Sequence, residues 1–177
     1  MNLWWLALTV MVMIAWAWYL SSTAGRLDRL HKKIDTARLA LDAQLLRRSS
    51  VALELAASGV LDPASSMLIA DSAHRARQAE DDGDRSLAES ELTTALDAAL
   101  ADPEDVAELR QDAYGAELLD ELEAAFRRVE LSRRFLNDAV RACGQVRAHR
   151  AVRWFRLAGH TELPTTMEMD DTLPAGL

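Results

Sequence analysis

The sequence predicts an all-α protein, with a single N-terminal transmembrane helix continuing into an antiparallel, elongated helical bundle, and three observations carry that prediction. Ala, Leu, Arg, Asp and Glu make up the bulk of 177 residues that are 50% apolar and 27% charged, a composition that favours helix. Pro and Gly together number eleven, and Phe and Tyr five, too few for the short aromatic strands and turns of a β-sandwich or barrel. Apolar residues also recur at spacings of three and four over long runs, the period of an amphipathic helix. The length suits one modest domain.

The first element is Leu3 to Leu20, which holds no charge and one polar side chain, Thr9, whose hydroxyl can bond back to a helix carbonyl. Its eighteen residues span roughly 27 Å at about 1.5 Å each, close to a hydrocarbon core of about 30 Å. Trp4 and Trp5 stand at one end and Trp16, Trp18 and Tyr19 at the other, the two aromatic belts of a membrane span. A cleaved signal peptide would carry Lys or Arg before the apolar run, and Met1 and Asn2 are uncharged. Arg26, Arg29, Lys32 and Lys33 follow the run. This asymmetry predicts an N-terminus outside and a cytoplasmic body, with those four cations against anionic headgroups.

The body reads as four helices. In the first, Leu27, Leu30, Ile34, Ala37, Leu41 and Leu45 form a coiled-coil-like seam, and no proline separates this helix from the membrane segment, so that the two are expected to be continuous up to Gly59. Gly59, then Asp62-Pro63, supply a C-cap glycine, an N-cap acid and a proline at the first helical position. The second helix runs over about Pro63 to Ala79 and stops at the Glu80 to Asp84 acidic turn. The third, Arg85 to Ala101, carries Leu92, Leu96 and Leu100. Asp102-Pro103 starts the fourth, which extends to Arg150 with a break at Tyr114-Gly115. Its seam of Leu119, Leu122, Phe126, Val129, Leu136, Val140 and Cys143 is interrupted at Arg133.

Two long and two short helices predict four helices in the half away from the membrane and two in the half near it. Charge divides the same way. Glu80 to Glu123 holds sixteen acids and two bases, whereas Arg127 to Arg156 holds nine arginines and two acids. The predicted organisation is an anchor over 1–25, a bundle over 26–158, and an acidic tail over 159–177 without a fixed fold.

Several runs resemble the LemA family of bacterial membrane proteins. Ile34-Asp35-Thr36-Ala37 followed by Leu41-Asp42-Ala43-Gln44-Leu45-Leu46-Arg47-Arg48 is similar to that family's first body helix, Ala88-Glu89-Ser90-Glu91-Leu92 to its third, and Arg133 to Val140 to its last. The runs are spread over about Leu27 to Glu168. The chain departs from the pattern at Arg38, where tryptophan is usual, at Ser49 to Leu55, which lacks the proline, and at Leu136, where tyrosine is usual. The later Tyr-Asn and Phe-Pro signatures are missing near Cys143 to Ala151. The resemblance implies a membrane-anchored antiparallel bundle and assigns no settled activity.

Motifs for chemistry are missing. The seven glycines are too dispersed for a phosphate-binding loop, and the GxGxxG, HExxH and GxSxG patterns do not occur. His31, His74, His149 and His160 never fall three or four apart, the spacing for a helical metal pair. The acids of Glu80 to Asp84 do not match a calcium loop, and Cys143 lies on the apolar seam as a packing residue. His160 with Glu162 is the remaining candidate for metal or acid-base work. No catalytic residue, metal or cofactor is therefore expected. Nor is nucleic acid, because apart from Trp154-Phe155 the arginines of helix four lack interleaved aromatics and their positive face is expected against the bilayer. Gln44 and Asn137, one on each long helix, are read as polar residues fixing register across the seam. The expected role is a non-enzymatic interaction or scaffold module whose partners are the bilayer and another protein. Self-assembly along the Leu27 to Leu45 seam and a metal-dependent inter-helix site are the alternatives.

Overall fold

The computed structural model describes residues 3–148 and 164–177. Its five helices are α1 (Leu3–Ala57), α2 (Pro63–Gln78), α3 (Asp82–Ala99), α4 (Pro103–Leu109) and α5 (Ala113–Ala148), with no strand among the described residues.

Local chemistry sets the helix ends. Beyond α1, Gly59 takes a φ of 78°, a left-handed conformation that favours glycine. The Asp62 carboxylate accepts from the Ala64 and Ser65 amides at 2.9 and 3.1 Å, and Asp102 accepts from Glu104 at 2.9 Å. Each is followed by proline at the first helical position, where the missing N–H costs nothing.

Two boundaries differ from the sequence reading. Helix α3 starts at Asp82, inside the acidic run expected to turn, so that Asp82 and Asp84 lie in its first turn, where carboxylates stabilise the positive helix end. The expected fourth helix is broken at Arg110 to Asp112, just ahead of the predicted Tyr114-Gly115. Gly115 marks the reason, since a Cβ there would lie 2.4 Å from the Leu109 carbonyl oxygen.

The chain forms two compact units. One comprises the residues through Ala37 together with Asn137–Thr166. Leu27, Ile34, Ala139, Val140, Cys143 and Val146 are its buried apolar residues, and the Cys143 sulfur lies 3.8 Å from His31 Nε2 where α5 meets α1. The apolar stretch of α1 in this unit is long and apolar enough to cross a membrane and is 0% buried. Within it Thr9 donates to the Leu6 carbonyl at 2.9 Å.

The other unit comprises Arg38–Leu136 and Met167–Leu177. Leu55, Ile69, Leu92, Leu96, Leu122 and Phe126 centre its core. Helix α2 packs against α3, burying the small Ala73 and Ala76. Arg38–Asp82 and Arg85–Asp42, at 2.8 and 2.7 Å, tie α1 to α3, Arg75–Glu91 ties α2 to α3, and Arg47 pairs with Glu121 of α5.

Residues 167–177 differ from the tail without a fixed fold that composition suggested. They form an extended strap bonded to α3 and α5. Asp171, which read as solvated charge, meets Arg133 instead, and Asp170 accepts from the amide and hydroxyl of Thr172. The predicted end of helix four at Arg150, and His149, Trp154, Phe155, Gly159, His160 and Glu162, lie outside the described residues.

Candidate functional site

In the unit of Arg38–Leu136 and the strap, a buried polar cluster sits beneath the strap, and α1, α3 and α5 each supply part of it. From α1 comes Arg48, 0% exposed. Its Nη2 donates to the Glu89 carboxylate at 2.6 Å and to the Glu89 carbonyl at 3.0 Å, and its Nη1 donates to the Thr93 hydroxyl at 3.1 Å. The guanidinium carbon stands 5.0 Å from the Phe126 ring centre, a cation–π distance. Arg48 Nε is buried without a hydrogen-bond partner, an incomplete satisfaction that makes any further loss at this cluster costly.

Burial pushes the Glu89 carboxyl above its ordinary value, with the Arg48 charge and hydrogen bond pulling the other way. The Arg48 side chain is enclosed, and that of Glu89 is 3% exposed and borders a small cleft. The role of the pair is to position α3 against α1.

The strap lies on this platform. The Thr93 hydroxyl, 3.1 Å from the Glu89 carbonyl, is closer to the Asp170 carbonyl at 2.8 Å, and the Asp170 amide donates to Ser90 Oγ at 3.0 Å. Arg133 of α5 donates to both oxygens of Asp171, Nε at 2.7 Å and Nη2 at 2.9 Å. Farther on, the Ala175 amide donates to Asp97 at 3.2 Å. Pro174 is buried, and Leu177 packs against the core cluster. Asp170 is held below the ordinary aspartate value, first by the Thr172 hydroxyl and then by the Thr172 amide. Arg133 is pushed up by its bond to Asp171.

The seam interruption at Arg133 thus has a cause, because that position of α5 faces the strap. Sequence reasoning missed Arg48, Glu89 and Thr93, although a signal was present. Continuing the seam from Leu41 and Leu45 by three and four reaches Arg48, Ala52 and Leu55, so the spacing itself puts Arg48 inside.

The residues singled out from sequence do not converge. Arg26, Arg29, Lys32 and Lys33 are all exposed, and Lys32 pairs with Asp28 at 3.7 Å. Asn137 is buried and Gln44 half-buried, and they fall in different units. Cys143 is buried and its thiol pushed up by desolvation, with Arg147 opposing, an inert setting for a thiol. The Leu27 to Leu45 seam considered for self-assembly is occupied within the chain, with Leu27, Ile34, Leu41 and Leu45 all buried.

Two clefts open on the unit that carries the strap, the smaller of them beside Glu89. One of about 210 Å³ is lined by Asp42, Arg77, Arg85 and Glu89 among others, and one of about 470 Å³ by Asp62, Asp105, Glu108 and Asp112 with apolar neighbours. Among the described residues no group of three His, Cys, Asp or Glu side chains could hold a metal ion. The site has the chemistry of recognition, a fork for a carboxylate and hydroxyls for a peptide backbone. No family model and no curated protein matches the chain.

Proposed function

We propose that this protein is a single-pass, LemA-like protein of the bacterial cell membrane, N-terminus outside and body cytoplasmic, that acts as a non-enzymatic interaction or scaffold module. The observation that carries this reading is the exposure of every residue from 3 to 19, with Trp4 at 87% and Trp18 at 74%. An apolar surface of that extent needs an apolar cover, and a bilayer supplies one of the right thickness. Arg26, Arg29, Lys32 and Lys33 on the body side support the cytoplasmic orientation. The proposed arrangement keeps two helices near the membrane and four away from it. The buried Arg48–Glu89 pair, which joins α1 to α3, supports a structural role over catalysis.

Self-assembly is the second reading. It is favoured by Leu39 and Leu46 on α1, seven residues apart and 70% and 52% exposed, which is one heptad on one helix face.

Sidedness reporters fused after Leu177 test the main reading. A fluorescent protein should mature and a periplasm-dependent phosphatase should stay silent. The reverse pattern overturns the orientation, and a fusion found in the soluble fraction overturns the anchor. Crosslinking in intact cells, followed by recovery through a tag, separates the two roles: a reproducible different protein favours the scaffold, and self-crosslinks alone favour assembly.

A further inference from the structure

We propose that the groove on α3 and α5 is a peptide-recognition site, and that its ligand in trans is the strap of a second copy of this chain, with the cis strap as competitor. The strap is bound in the manner of a ligand. Residues 167–177 contain no regular secondary structure. Their fixed points are bonds to side chains of other elements: Ser90 and Thr93 to Asp170, Arg133 to Asp171, and Asp97 to Ala175.

The seat is also selective. A Cβ at Gly176 would lie 2.1 Å from the Leu100 carbonyl oxygen and 3.0 Å from a Val106 methyl. A backbone oxygen cannot rotate aside, so only glycine passes there. The Arg133 fork requires a planar carboxylate at the Asp171 position, and Thr93 is itself 2% exposed. Together these features read an extended segment with an acid, then a glycine five residues on, then an apolar residue.

Recognition of this kind does not depend on which molecule supplies the segment. The strap is the one sequence whose fit to the groove is documented contact by contact, and every copy carries it. Exchange of an identical element between protomers conserves all the contacts and costs only the tether. The tether favours the cis arrangement through effective concentration. Confinement of copies to one membrane plane raises the trans concentration, and this part rests on the membrane-anchored reading.

The first test uses the full chain in detergent micelles and a fluorescent synthetic peptide of residues 164–177. Gly176→Ala removes the chain's own strap from its seat and leaves the groove intact, and Asp171→Ala weakens the strap by a separate route. Both variants should bind the wild-type peptide at least about tenfold more tightly than the wild-type chain does, whose groove is filled in cis. A peptide carrying Gly176→Ala should lose that binding. Equal binding by all chains, or none by either variant with its helix content unchanged, overturns the recognition site.

The second test places a photo-crosslinking residue at Ala175 in two differently tagged full-length copies expressed together. Adducts between copies that map to the region of Asp97 support exchange, and adducts within one copy alone overturn it. The peptide titration needs no membrane, so it stands or falls apart from the sidedness reporters.

Discussion

Arg133 and Asp171 lie thirty-eight positions apart and meet through two parallel hydrogen bonds of 2.7 and 2.9 Å, with their side chains 19% and 10% exposed. The fork converts an interruption in the α5 seam into the main anchor of the strap. Geometry of this kind belongs to arginine, whose planar guanidinium matches a carboxylate, and lysine would keep the charge and lose one of the two bonds.

Asp171→Asn should therefore loosen the strap without unfolding the helices. The expected cost is about 1.5 to 3 kcal/mol, the range for hydrogen bonds to charged groups. Hydrogen exchange reads it directly, since the amides of Asp170 and Ala175 are donors to Ser90 and Asp97 and should lose protection while those of α3 keep theirs. Unchanged protection at both amides contradicts the assignment.

Arg48→Met should be among the most damaging single changes, because it strands the Glu89 carboxylate in a buried site. A loss of about 3 to 5 kcal/mol is the usual cost of breaking such a pair. Adding Glu89→Leu should recover most of that loss, since an apolar pair avoids the desolvation of both charges. Urea unfolding of the two single variants and the double variant measures the coupling. Simple additivity would mean that the two side chains act independently.

Protonation of Glu89 should leave its mark on stability. Its carboxyl is raised in the folded state, so the folded chain holds the proton where the unfolded chain has released it. That contribution is complete below the unfolded value of about 4.3 and is lost as pH rises through the higher folded value. Asp170, held low, has the opposite sign, stabilising above the unfolded aspartate range and losing its contribution as pH falls through its folded value. Because Asp170 opposes it, the Glu89 contribution is read as a difference: between acid and neutral pH the urea midpoint of the wild-type chain should fall relative to that of Glu89→Gln. An identical slope in both chains would exclude a raised carboxyl.

Two glycines should respond to alanine with opposite signs. At Gly115 the new methyl would meet the Leu109 carbonyl, a clash that backbone must relieve at a cost of about 1 to 3 kcal/mol. At Gly144, inside α5, a Cβ meets nothing within 4 Å, and alanine should stabilise by about 0.5 to 1 kcal/mol through helix propensity. Thermal melts followed by circular dichroism distinguish them, and destabilisation at Gly144 would contradict the open space there.

Leu96→Ala tests the core of the unit that carries the strap. Leu96 is 0% exposed within a cluster drawn from α1 to α5, and a loss of about 2 to 5 kcal/mol is expected. A change below 1 kcal/mol, measured by urea unfolding, would show that the neighbours collapse into the space.

Features whose physics is local were legible in the sequence. Asp62-Pro63, Asp102-Pro103 and Gly59 announce helix ends because a cap acts within three residues, and Leu92, Leu96 and Leu100 announce a buried face because helix period is fixed. The strap was not legible, since Asp170 and Asp171 carry no sign of the arginine and hydroxyls that receive them. Acidic composition near proline resembles solvated chain until a partner is placed against it. Arg48 was half legible, as spacing put it on the buried face while its charge argued for the surface. Tertiary pairing with Glu89 decides between the two, and no local signal encodes that pairing.

The order of the chain gives the strap a place in time. Asp171 follows Arg133 by thirty-eight residues, and translation at roughly 5 to 20 residues per second separates the two by about 2 to 8 s. For those seconds on the ribosome Arg133 is without its carboxylate, and the floor beside Leu100 and Val106 is without Gly176 and Leu177. The contacts of the strap to Ser90, Thr93, Asp97 and Arg133 are therefore the last of this unit to be made, after the helices that receive it have been synthesised.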